Sequence, residues 1–192
     1  MNNILAVDTS LTSCSIFLRI DGKSYHRHLK GQAAHAEQFF SWIHELAQIE
    51  PNLFQRLNVL GLCLGPGRFN GLRVGMTFIT TLMALFKMPA YVCTSHQLLA
   101  EQSKKTHVQG YAIFAKYNHA YWCLDNDWMN TSLVSFDKIP ENSVVLDMPM
   151  VKAVEHHDSL DIANIISLIN QKKIEIIDDY RDITPLYTAN LC

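Results

Sequence analysis

The sequence predicts two α/β lobes in tandem, and three observations carry that prediction. An apolar run over 58–64 leads through the glycine-rich turn Gly65-Pro66-Gly67-Arg68-Phe69-Asn70-Gly71 into a long apolar helix. The chain opens with strand-like segments on either side of Asp21-Gly22, a hairpin-turn pair. A polar stretch over 102–109 then separates this half from a second series of strands and a helix.

In chain order, residues 4–8 form a short apolar strand ending in Asp8, and 13–20 and 23–29 follow as an antiparallel meander. Residues 34–49 have helical spacing: Phe39, Phe40, Ile43, Leu46 and Ala47 share one stripe, and Pro51 stops the helix. The run over 58–64 carries almost no polar side chain, as expected for a strand covered on both faces. The helix over 71–86 is apolar nearly all round, so it is either central or half of an interface. A short strand over 90–93 precedes a helix capped by Ser95 that carries Leu98 and Leu99. The polar stretch divides the chain into lobes over 1–103 and 104–192. Strands are expected over 110–116, 119–124, 128–136 and 143–147, then a helix capped by Asp158 or Ser159 and ending near Gln171.

Composition narrows the function classes. Of 192 residues 48% are hydrophobic, enough for a sizeable core. The formal net charge of −2 gives no basic excess, which argues against a protein that grips RNA unaided. No run approaches the roughly 18 consecutive apolar residues of a membrane span. Met1-Asn2-Asn3 passes directly into a strand without a charged leader, so a cytoplasmic location is expected. The 5 cysteines form no Cys-x-x-Cys pair and mostly sit in strand-like apolar runs, which reads as reduced core thiols.

The glycine turn has two readings. A Walker loop requires Gly-Lys-Ser/Thr after four intervening residues, but Gly71 comes one place early and Leu72 stands where lysine belongs. A dinucleotide fingerprint requires Gly-x-Gly-x-x-Gly, and Asn70 occupies its third glycine. Anion binding at the helix N-terminus is then the weaker reading. The stronger one is close packing. Gly71 and Gly75 lie four apart on one helix face, flanked by Leu72, Met76 and Ile79. Either the chain's own sheet or a partner covers that groove, and the helix's surplus apolar surface favours a partner. Metal chemistry finds no His-x-x-x-His. His26-x-His28 lies on a strand with nothing acidic beside it in sequence, and His156-His157-Asp158 reads as a helix cap. No Gly-x-Ser-x-Gly nucleophile elbow exists.

These segments together resemble one family. Ile4-Leu5-Ala6-Val7-Asp8-Thr9-Ser10 opens like the TsaB (YeaZ) proteins, with an apolar strand and Asp-Thr-Ser/Ala. The stretch from Gly65 to Gly75 is similar to their signature Gly-Pro-Gly-Ser-Phe-Thr-Gly-Leu-Arg-Ile-Gly, with Arg68 and Asn70 in place of Ser and Thr. Pro89-Ala90-Tyr91-Val92-Cys93-Thr94-Ser95 resembles the segment that follows, and His35 and Pro185-Leu186-Tyr187 also fit. The likeness thins in the second half, where Phe114-Ala115-Lys116 and His119-Ala120-Tyr121 replace Asp-Ala-Arg and Glu-Val-Tyr.

The resemblance implies two ribonuclease-H-like lobes of the actin and sugar-kinase ATPase superfamily, the second reduced. It implies a non-catalytic scaffold subunit in tRNA threonylcarbamoyladenosine formation. Such a subunit dimerises with a metal-bearing TsaD-like catalytic subunit, works with a TsaE-like ATPase subunit, meets tRNA only through the complex and forms a homodimer when alone. The partner interface is expected at His35, Phe39, Trp42, Gly71, Leu72, Gly75, Met76 and Ile79. No catalytic residue, metal or cofactor is expected on this chain alone, with ATP or ADP at the interface of the complex. A weaker expectation places phosphate contact at Asp8, Thr9, Ser10, Gly67 and Arg68. The alternatives are a small-molecule kinase of the same superfamily, with Asp8 as its metal or base residue, and a degenerate glycopeptidase homologue.

Overall fold

A computed structural model describes residues 2–30, 35–105 and 107–186, with the backbone alone at residue 35. The expected helix start at residue 34, the side chain of His35, Tyr187 and Cys192 lie outside the described residues.

The first sheet has six strands, in the order Glu175–Ile177 (β11), Ala90–Cys93 (β5), Val59–Cys63 (β4), Ile4–Asp8 (β1), Cys14–Ile20 (β2) and Lys23–Leu29 (β3). Strands β1 (Ile4–Asp8), β2 (Cys14–Ile20) and β3 (Lys23–Leu29) form the antiparallel meander, turning at Asp21-Gly22. Strands β4 (Val59–Cys63) and β5 (Ala90–Cys93) run parallel to β1 and to each other. Helices α1 (His35–Ile49) and α2 (Leu53–Arg56) connect β3 to β4, and α3 (Phe69–Phe86) connects β4 to β5. After α4 (Ser95–Ser103) the chain builds a second sheet of order β10-β9-β6-β7-β8. Its strands are β6 (Gly110–Lys116), β7 (His119–Leu124), β8 (Ser132–Ser135), β9 (Ser143–Leu146) and β10 (Glu155–His157).

Read from the meander outward, the sheets run 3-2-1-4-5 and 8-7-6-9-10, the same pattern of three antiparallel and two parallel strands. The second copy is stripped down. A single 3₁₀ turn, Phe136–Lys138, replaces the helices between β8 and β9, and an irregular loop joins β9 to β10. Loop side chains Ile139, Met148 and Val151 cover the outer face of this sheet over Ala112, Ala120 and Val145.

β1 is buried on both faces, and its side chains alternate between two cores. Leu5 and Val7 join the core under α1 and α3, with Phe39, Leu46 and Ile79. Ala6 joins the core between the sheets, with Leu98 and Leu99 of α4, Tyr111 and Ile113 of β6, and Ile165 and Leu168 of α5 (Ile165–Asn170). There Gly61 of β4 is a spacer: a Cβ would stand 2.7 Å from the Ala6 Cβ and 3.0 Å from the Ile165 side chain.

Several expected elements are redrawn. The helix expected up to Gln171 shortens to a 3₁₀ turn at Ile162–Asn164 followed by α5, and its cap is Asp161, whose carboxylate accepts the Ala163 N–H at 2.8 Å. The strand expected over 128–136 contracts to β8. His156 and His157 are strand residues, because β10 pairs with β9 there. Thr94, not Ser95, caps α4, in a reciprocal capping box with Gln97. The segment beyond residue 103 also returns: β11 (Glu175–Ile177) pairs antiparallel with β5 and ends the first sheet.

Candidate functional site

The glycine motif is a packing joint between α3 and the end of β1. A Cβ at Gly67 would fall inside the carbonyl of Ser10, and one at Gly71 inside the carbonyl of Thr9. A Cβ at Gly75 would stand 2.6 Å from the Thr9 Oγ1. The contact is therefore backbone on backbone, which only glycine permits. Thr9 fastens it: its hydroxyl donates to the Gly71 carbonyl at 2.7 Å and accepts the Gly75 N–H at 3.1 Å. The Arg68 N–H, at the helix N-terminus where an anion would sit, donates instead to the Ser10 carbonyl. Beneath the joint, the Ser95 hydroxyl donates to the Pro66 carbonyl and lies 3.2 Å from the Ser10 Oγ and 3.3 Å from the Cys63 Sγ.

This geometry corrects two expectations. Asp8, Thr9 and Ser10 do not face an open phosphate site; their exposures are 1%, 3% and 0%. Asp8 Oδ1 accepts the Ser10 N–H at 2.8 Å, while Oδ2 is buried without a hydrogen-bond partner among the described residues. Burial pushes the Asp8 carboxyl above its ordinary range, opposed by the hydrogen bonds from Ser10. A carboxyl sealed from solvent cannot reach a metal or a substrate as the central residue of a kinase in this conformation. Gly67 is half-buried under the Ser10 carbonyl, and Arg68 alone of the five is exposed.

The second correction concerns the expected interface. Phe39, Leu72, Gly75 and Ile79 are buried, and Gly71 is turned onto Thr9. Trp42 and Met76 are half-buried against the core of the first lobe. Residues outside that expected set make the outward face. Phe40, Phe69 and Leu85 are 50%, 55% and 69% exposed. Arg73, Thr77 and Thr81 are exposed between them, and Val74 and Phe78 form a half-buried floor. Phe40, Arg73, Val74, Thr77, Phe78 and Thr81 line an open apolar depression of about 490 Å³. Phe78 is wedged edge-on against Phe39 and Phe40, at centroid distances of 5.1 and 6.3 Å, which fixes α1 against α3. The Arg73 guanidinium lies over the Phe69 ring at 5.3 Å. The missed signal was the four-residue spacing of Phe69, Arg73, Thr77, Thr81 and Leu85: a stripe holding arginine and two threonines is the one that stays outside.

By length and a mean hydropathy of 1.3, α3 is the one helix among the described residues that could cross a membrane. Here one face of it is packed on the sheet, with Leu72, Gly75, Ile79, Leu82 and Met83 buried.

The other titratable groups are structural in setting. Cys14, Cys63, Cys93 and Cys123 are free and buried, and burial raises the thiols of Cys14 and Cys123 to about 12. His96 is fully buried, with Nε2 3.1 Å from the Tyr121 carbonyl, and burial lowers it to about 4. His26 does gain an acidic neighbour, Asp161, at 2.9 Å. Even so, among the described residues no three His, Cys, Asp or Glu side chains are grouped to hold a metal ion.

The repeated strand order and the helix layers define a protein of two tandem ribonuclease-H-like lobes, the second reduced. YeaZ from Pseudomonas aeruginosa superimposes with a TM-score of 0.76 at 17% identity, covering 98% of this chain and all of that one. A second P. aeruginosa structure, described as similar to peptidase YeaZ, gives 0.75 at 17% identity over 97% of this chain and 99% of its own. No protein-family model matches the chain. In sequence it is 23% identical over 199 aligned residues to the tRNA threonylcarbamoyladenosine biosynthesis protein TsaB of Buchnera aphidicola subsp. Schizaphis graminum, covering 97% of this chain and 94% of that one. The TsaB of Haemophilus influenzae is 26% identical over 122 residues, 62% of this chain and 52% of that one. In sequence and in fold the chain resembles the TsaB (YeaZ) proteins.

Proposed function

We propose that this protein is a non-catalytic subunit of the machinery that forms threonylcarbamoyladenosine in tRNA. It seats the metal-bearing, TsaD-like catalytic subunit on the outward face of α1 and α3. The names of its relatives support the process, and one observation carries the role: the sheet consumes the glycine face of α3, while Phe40 and Leu85 stand 50% and 69% exposed beside a half-buried floor of Val74 and Phe78. An exposed aromatic cluster beside one arginine has the composition of an interface centre. A second copy of the chain occupies this face when the catalytic subunit is absent. The kinase alternative loses ground because Asp8, its central residue, is sealed.

The test is co-elution of the full chain with the catalytic subunit of its own organism. Phe40→Asp and Thr77→Glu place a charge in the apolar depression at partly or fully exposed positions. Each is expected to weaken the pair at least about tenfold. For Thr77→Glu the change in folding stability is expected to stay within about 0.5 kcal/mol. Unchanged co-elution of both variants would remove this face from the assembly.

A further inference from the structure

A cavity of about 590 Å³ opens on the far side of the first sheet from α1 and α3. It lies between the C-terminal half of α4, α5 and the start of β6, and its volume is that of a small-molecule site. It is separate from the small cleft of about 20 Å³ beside Leu11, Thr12 and Ser13, where the two lobes meet near the end of β1.

Its wall is aromatic. Tyr111 is 2% exposed, and the Trp128 indole leans on it at a centroid distance of 5.5 Å. Trp128 also lines an adjoining cavity of about 440 Å³ that includes the apolar side chains of Leu64, Val92 and Met129. The first cavity's rim carries three lysines, Lys104, Lys105 and Lys173, with His107 beside them, in a chain whose net charge is −2. Two acids share the lining, Glu101 and Asp125. The Glu101 carboxylate is engaged, accepting from Ser167 Oγ and from Gln171 Nε2 at 3.0 Å, with Lys173 Nζ at 3.9 Å. Lys104 and Lys105 are exposed and have no ion-pair partner among the described residues.

We infer that this trough is a nucleotide-binding site, with a base stacked on Trp128 and its phosphate on Lys104, Lys105 and Lys173. A planar apolar wall beside clustered ammonium groups matches both halves of a nucleotide, and neither half alone accounts for the pairing. The inference departs from the expectation that this chain alone holds no nucleotide, and it does not rest on the partner reading above. The same chemistry is offered by a free mononucleotide and by a nucleotide of an RNA strand, and the experiment separates them.

Calorimetric titration of the full chain with ATP, and separately with an RNA hairpin of anticodon-arm size, tests the site. Binding of ATP that weakens about tenfold or more in Trp128→Ala and in Lys104→Glu/Lys105→Glu supports a free mononucleotide. Binding of the hairpin alone, with the same sensitivity and a strong salt dependence, supports an RNA nucleotide. Absence of binding by both ligands overturns the inference, as does binding that the lysine double variant leaves unchanged. The lysine positions are exposed, so that variant keeps the test decisive if Trp128→Ala fails to fold. Co-elution with the catalytic subunit should be intact in the lysine variant, because the α1–α3 face lies across the sheet.

Discussion

The two faces of α3 are built on opposite rules. The inward face uses the smallest residues at its N-terminal end, Gly71 and Gly75, so that helix backbone can rest on the Thr9 and Ser10 backbone. The outward face uses large ones, Phe69, Val74, Phe78 and Leu85, spaced by Arg73, Thr77 and Thr81. Apolar character therefore fails to tell the two faces apart; side-chain size and the placing of a few polar groups do. A small-residue stripe lets a helix meet a strand end in its own fold, whereas a broad aromatic stripe beside a cation offers area to something outside it.

Mutations on the inward face should break the fold before they touch any assembly. The largest effect is expected for Gly71→Ala, whose methyl would occupy the Thr9 carbonyl. A loss on the order of 3 kcal/mol or more, measured by urea unfolding, follows from forcing backbone apart in a packed joint. A soluble variant of near wild-type stability would show that the joint opens easily and would return Gly71 to the candidate interface. Thr9→Val keeps the shape and removes both hydrogen bonds to α3. A loss of about 1–3 kcal/mol is expected, since the Gly75 N–H and Gly71 carbonyl are then left without the hydroxyl.

Asp8→Asn should act more gently, on the order of 1 kcal/mol, and in the opposite direction. The Asp8 carboxyl is held above its ordinary 3.8 in the folded state, chiefly by burial. Its unfavourable contribution is absent below that ordinary value and grows as pH rises toward the folded-state value. Asn keeps an acceptor for the Ser10 N–H and carries no charge. The melting temperature of Asp8→Asn should therefore gain on wild type as pH is raised from acid to neutral. A gap that stays constant with pH would show that Asp8 ionises freely, and would reopen its reading as a metal or phosphate residue.

The two lobes offer a second contrast. The first covers its sheet with helices on both faces; the second repeats the strand order but covers its outer face with loop side chains such as Ile139, Met148 and Val151. The helices of the first lobe were legible because their apolar spacing extends over several turns, as in Phe39, Ile43 and Leu46. The three-residue strands β10 and β11 were not, because Glu155-His156-His157 and Glu175-Ile176-Ile177 carry no alternation long enough to count. They are strands because β9 and β5 present free edges to them.

By itself the sequence determined the meander, the strand-turn-helix of the glycine motif, the buried thiols and the doubling of an α/β unit. All of these follow from local periodicity and turn chemistry, which neighbouring residues specify. Only the tertiary structure decided which side of α3 the glycines take, that Asp8 is sealed, and that Trp128 stands with Lys104 and Lys173 around one cavity. Those facts depend on residues far apart in the chain meeting in space. The Arg73-Thr77-Thr81 stripe marks the outward side of the helix, but what the glycines do on the other side was decided by the close approach of the Thr9 carbonyl, which only glycine allows.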